Sequence, residues 1–118
     1  MKNAFGKFIR RKRESLFDAD PSYSVRRVAA RIGVEPSFLS KVERRLEPPP
    51  SETKIIALAK VLGEDPDVLL ALAGKVSGDL QRAIMKRPKL FAQLIRELND
   101  MPDHAVLRLV REVRDGKW

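Results

Sequence analysis

Cations are the side chains of this chain best equipped for chemistry, and they are unevenly spread. Residues 1–60 hold 14 Lys or Arg against 7 Asp or Glu, whereas residues 61–118 hold 10 against 9. The formal charge of +8 therefore belongs almost wholly to the first half. Such a field serves phosphate neutralisation when its carriers share a surface, and plain solvation of helix faces when they do not. Catalysis has little to work with. His104 is the single histidine, beside Asp103, with no second histidine for a metal pair, and it reads as a surface or helix-capping residue. Cysteine is absent, which excludes disulfides, thiol catalysis and cysteine-based zinc sites and suits a reducing compartment. The carboxylates are scattered and no glycine-rich loop is spaced to cradle a phosphate. We expect no enzyme, no metal and no cofactor. No apolar run approaches the ~18 residues of a membrane span and no cleavable signal is evident, so the expected setting is the cytoplasm, away from membrane.

The elements that must position these cations are helices. Val28, Ala29 and Ile32 share one face of a helix over about 25–32, and Leu39 and Val42 repeat three apart on a second helix beginning near Pro36. Ser24 suits the N-cap of the first, and Pro36 the opening position of the second, where a missing amide hydrogen costs nothing. Gly33 can take the left-handed conformation that ends one helix and turns the chain into the next. Ala29 falls where the two helices would cross, and a larger side chain would push them apart. This is the outline of a DNA-reading helix-turn-helix, and its coincidence with the cations of residues 1–60 makes them read as phosphate-neutralising.

Three stretches make the chain similar to a known family: Val-Ala-Ala-Arg-Ile-Gly-Val at 28–34, Phe-Leu-Ser-Lys-Val-Glu at 38–43, and Ser-Glu-Thr-Lys-Ile-Ile-Ala-Leu-Ala-Lys-Val-Leu-Gly at 51–63. With the proline-rich link and Asp-Pro-Asp at 65–67 at the right spacing, they resemble the phage-repressor and Cro-like helix-turn-helix proteins, the Xre family. The resemblance implies a five-helix repressor-like domain over about residues 3–73, placed at 1–74; the helical C-terminal extension at 75–118, which completes an all-α chain, matches the family pattern nowhere and is read from its own apolar stripes. The resemblance also implies that the second motif helix lies in the major groove. Carried over position by position, Glu35, Pro36, Ser37, Ser40 and Lys41 would face bases, and Ser24, Arg26, Arg44 and Arg45 phosphates. Lys41 can donate to O6 and N7 of guanine; Ser37 and Ser40 can donate or accept and select no base by themselves. Arg13 and Glu43 occupy positions where family members often form a partly buried ion pair, which would fix the angle of the reading helix.

Several residues depart from the family pattern. Val25 stands where a glutamine commonly opens the first motif helix and reaches a phosphate, so Ser24, Arg26 or backbone amides must supply that contact. Arg45 stands where the family usually has the glycine that ends the recognition helix, so that end is expected to be longer or differently shaped. Glu35 replaces the usual Ser or Thr N-cap, and residues 18–23 lengthen the first connection.

The remaining elements read as core builders. Phe5, Phe8, Ile9 and Leu16 make the first seventeen residues a basic amphipathic helix. It could lie on an anionic membrane or in a partner's groove, but the small domain needs its apolar face to close a core. Ser51 caps a helix carrying Ile55, Leu58, Ala59 and Leu62 and ended by Gly63; Asp65 and Pro66 start another with Val68, Leu69 and Leu72, ended by Gly74. The last third is helical, with Leu80, Ala83 and Ile84, then Leu90, Phe91, Leu94, Ile95 and Leu98 beyond Pro88, and a final helix opened by Pro102. That tail holds more apolar surface than three short helices can bury. Phe91, Leu94, Val106, Leu109, Val110 and Val113 are the expected dimer contacts, and Trp118 is expected to be disordered or buried on a partner subunit. The functional expectation is a homodimeric, sequence-specific regulator of transcription that binds double-stranded DNA at an inverted-repeat operator and represses. The alternative is a DNA-binding antitoxin whose tail captures a toxin, or a relative whose tail captures a regulatory protease.

Overall fold

The computed structural model describes residues 4–116, and Trp118 lies outside them. The described residues form eight α-helices and one short 3-10 turn, with no strand. The chain divides into two compact units, Met1–Ser77 and Gly78–Trp118.

In the first unit α1 spans Ala4–Phe17, the 3-10 turn Pro21–Tyr23, α2 Val25–Ile32, α3 Pro36–Glu43, α4 Glu52–Leu62 and α5 Pro66–Leu72. Each boundary has a local cause. The Ser24 and Ser51 hydroxyls accept from the amides of Arg27 and Lys54, three residues on, and Asp65 accepts from Asp67 N–H. Pro36 and Pro66 occupy the first helical turn, where no partner for the missing N–H is required. Glu35 makes no side-chain cap, so α3 starts on backbone and proline geometry alone.

The C-terminal ends share one device. At Gly33 and Gly63 the chain turns left-handed, at φ +76° and +71°, and the following amides reach back to the carbonyls of Ala29 and Ala59. The end of α3 uses the same closure at a non-glycine residue. Arg45 has φ +65°, Arg45 N–H donates to Val42 O, and Leu46 N–H donates to Lys41 O. Of the two expected outcomes, a longer end or a differently shaped one, the end is not longer: α3 stops at Glu43, and an arginine adopts the conformation glycine would take.

The core is drawn from all five α-helices: Phe5 and Ile9, then Val28, Ala29 and Ile32, Leu39 and Val42, Ile55, Leu58, Ala59 and Leu62, and Leu69 and Leu70. The α1 face expected to close this core does so, with Phe8 and Leu16 half-buried at its margin. The α5 stripe differs from expectation. Leu69 and Leu70 are buried, Val68 is exposed and Leu72 half-buried. The seven-residue helix packs against both α4 and α1, so two adjacent positions about 100° apart each find a neighbour.

The second unit comprises α6 (Gly78–Lys86), α7 (Pro88–Asn99) and α8 (Asp103–Asp115). Pro88 opens α7 and forces Arg87 out of helical geometry, at φ −140° and ψ 64°. None of residues 78–116 is buried. Leu90, Leu94, Ile95, Leu107, Val110 and Val113 are each more than two-fifths exposed, so this unit has apolar stripes but no closed core. Among the described residues no helix is long and apolar enough to cross a membrane.

Candidate nucleic-acid interface

Helical geometry sorts α3 into two faces. Leu39, Val42 and Glu43 point inward and are buried, whereas Pro36, Ser37 and Lys41 are exposed and Ser40 half-exposed. Phe38 is half-buried and packs on the core rather than joining the polar face. Glu35 stands exposed just before the helix; its carbonyl accepts from the amides of Phe38 and Leu39. Arg44 and Arg45 are exposed just beyond the end of α3.

What holds this face outward is a buried charge pair. Arg13 on α1 donates from Nε to Glu43 Oε2 at 2.6 Å and from Nη2 to Oε1 at 3.0 Å, a parallel two-point contact. The two side chains are only 8% and 4% exposed. The remaining nitrogen, Nη1, donates to Tyr23 O at 3.1 Å, so one guanidinium ties α1, the 3-10 turn and α3 together. No buried polar side-chain atom among the described residues is left without a partner.

The backbones of α1 and α3 also touch. A Cβ at Gly6 would lie 2.3 Å from Val42 O, well inside contact distance, so only glycine permits this crossing. Nothing in the sequence singles out Gly6, because one glycine within an amphipathic run carries no distinguishing signal.

At the start of α2 the Ser24 hydroxyl oxygen is engaged with Arg27 N–H at 3.2 Å, while Arg26 is exposed. The preceding turn is a small polar network. Asp20 Oδ1 accepts from Ser22 N–H at 2.9 Å; this bond above all, then a side-chain bond from Ser22 and the nearby Arg31 and Arg27 charges, holds the Asp20 carboxyl below its ordinary value of 3.8. Arg31 lies over the Tyr23 ring, 4.8 Å from its centroid, and its guanidinium donates to Ser22 O. The longer first connection is thus a built turn.

Not every cation of the first half serves the surface. Lys54 Nζ donates to Ile32 O at 2.9 Å, closing the end of α2, and Lys12 pairs with Glu64 at 3.4 Å. With Arg13, and with Arg31 exposed but engaged on the turn, these cations tie the unit to itself, whereas Arg26, Lys41, Arg44 and Arg45 are exposed and in no ion pair among the described residues.

Residues 4–72 match the helix-turn-helix domain family. The chain belongs to that family. No curated protein and no solved structure matches it. Membership in the helix-turn-helix family makes DNA binding the functional class, and within the matched residues α2 and α3 are consecutive helices joined by the left-handed turn at Gly33.

In the second unit a groove of about 420 Å³ is lined by Leu94, Leu98, Val106, Leu109, Val110, Val113 and Arg114. It gathers five of the six residues expected at a dimer contact; Phe91 is half-buried and outside its lining. His104 is exposed on the first turn of α8. No cluster of three or more metal-ligating side chains occurs among the described residues.

Proposed function

We propose that this helix-turn-helix protein is a sequence-specific transcriptional regulator of the Xre, Cro-like type that binds operator DNA as a homodimer and represses by occlusion. The observation that carries the reading is the outward face of α3: short polar and cationic side chains at Ser37, Ser40 and Lys41 on a helix locked from behind by Arg13 and Glu43. In this reading Glu35, Pro36, Ser37, Ser40 and Lys41 meet base edges, with Lys41 donating to guanine and Glu35 at the rim. Ser24, Arg26, Arg44 and Arg45 meet phosphates. Residues 1–74 act as the DNA-binding domain and residues 75–118 as the dimerisation extension.

Two arguments support the homodimer. One such module reads few base pairs, and dimers spanning half-sites about one DNA turn apart solve that problem. The apolar stripes of α7 and α8 have no cover within their own unit, and a second copy of the groove around Leu94, Val106, Leu109, Val110 and Val113 supplies it.

Selection of bound duplexes from a random pool at near-physiological salt tests the reading, and enrichment of an inverted repeat is the expected result. On the enriched duplex Lys41→Ala should relax selectivity at one base position by ~1–3 kcal/mol. Arg44→Ala should weaken binding on every sequence and lower the salt slope by about 0.9. Equal losses by both variants on enriched and random DNA would overturn the assigned roles. Light scattering at tens of micromolar should give a dimer; a monomer that orders its tail only with a second protein would favour the antitoxin alternative.

A further inference from the structure

We propose that Lys7, Arg10, Arg44 and Arg45 form a phosphate-binding cleft at the crossing of α1 and the end of α3, and that Arg45 keeps its left-handed backbone to place a cation there. The proposal rests on the DNA-binding reading and adds α1 to the surface that grips the DNA backbone.

The cleft measures about 320 Å³ and is lined by Lys7, Arg10, Glu43, Arg44 and Arg45. Lys7 and Arg10 lie three apart on α1, on neighbouring positions of one face. Glu43 brings the one negative charge, but both its oxygens accept from Arg13, which offsets it. Four further cations then line the cavity, and the only carboxylate in its lining is already engaged. Two have light engagements: Arg10 pairs with the exposed Glu14 at 3.2 Å, and Arg44 Nε donates to Ser40 O at 3.4 Å. Lys7 and Arg45 are in no ion pair among the described residues. A phosphodiester is the ligand whose charge, size and acceptor oxygens suit that arrangement.

The backbone at Arg45 points the same way. Among the described residues it alone combines a positive φ with a side chain; Gly33, Gly63 and Gly74 take the other left-handed positions at +76°, +71° and +76°. A side chain is disfavoured there because its Cβ crowds the following carbonyl. Glycine would close α3 with less strain, as it does α2 and α4. The side chain is also accommodated: a Cβ at Gly6 would stand 3.2 Å from Arg45 Cγ, so the bare backbone of α1 gives the arginine stem its path beside Lys7. Strain held at an exposed residue with no internal partner is explained by a ligand for its head group.

The experiment measures binding of the full chain to the selected duplex from 50 to 300 mM salt, together with thermal unfolding. For Arg45→Gly we expect an unfolding midpoint about 3 °C higher and a salt slope lower by about 0.9, a loss of about fivefold in affinity at 0.15 M salt. Lys7→Gln with Arg10→Gln should lower the slope by about 1.8, while Lys60→Gln, on an exposed position of α4 outside the cleft, should leave it unchanged. Wild-type binding with a steep slope that Arg45→Gly and the Lys7/Arg10 double variant do not alter would overturn the cleft alone. A wild-type chain with no salt-dependent duplex binding would overturn the DNA-binding reading and the cleft with it.

Discussion

Replacing Arg13 by Met strands a carboxylate. The substitution keeps much of the stem volume but leaves Glu43, 4% exposed, without its two charge-assisted bonds, and Tyr23 O without its donor. Removing one partner of such a buried pair costs ~3–5 kcal/mol, because the survivor must be desolvated alone or drag water inward. A unit the size of Met1–Ser77 has on the order of 4–12 kcal/mol of stability in all, at ~0.05–0.15 kcal/mol per residue. Much of the fold's margin is therefore at stake. Native-state hydrogen exchange of the full chain at neutral pH, read on the Leu39 and Val42 amides, should lose about two to four decades of protection in Arg13→Met. The double variant Arg13→Met/Glu43→Leu removes the stranded charge and should recover most of that loss, since apolar replacements of both partners are often neutral or stabilising. It should recover little DNA affinity if the pair also sets the angle of α3. A loss under about 1 kcal/mol in the single variant would place the pair in the surface class and refute the reasoning. So would a double variant as unstable as the single.

Two further outcomes follow from the same unit. Gly6→Ala, which in an open helix interior stabilises by ~0.5–1 kcal/mol, should here destabilise by ~1–3 kcal/mol, because the new methyl meets Val42 O at 2.3 Å and must part α1 from α3. Chemical denaturation decides it, and a stabilised variant would mean the crossing is loose. Asp20 should titrate below 3.8 by NMR. Because its folded value is depressed, the stabilisation it lends the Pro21–Tyr23 turn is present above the ordinary carboxylate range and is lost as pH falls through the lower folded value. Asp20→Ala should remove that acid-dependent step, and a carboxyl titrating at or above 3.8 would exclude the network.

Much of the first unit is legible one residue at a time. The periodicity of Val28, Ala29 and Ile32 and of Leu39 and Val42, the caps at Ser24 and Ser51, the proline starts and the glycine stops are local effects set within one or two helical turns, and they mark α2 to α5 without any tertiary knowledge. The concentration of cations in residues 1–60 is likewise plain from composition. Other features have no local signature. Gly6 matters because a carbonyl thirty-six positions away lies against it, and Lys54 and Lys12 are internal fasteners only because Ile32 O and Glu64 come within reach. The burial of Leu70 in place of Val68 depends on α5 having neighbours on two sides. Arg45 joins both kinds: its departure from a glycine position is visible in the sequence, but the sign of its φ, and therefore that α3 ends on time at a strained residue, appears only once the chain is folded. Caps, turns and amphipathic stripes are written in neighbours along the chain. Which lysine faces outward, which glycine touches a backbone and which charge is buried are decided by neighbours in space.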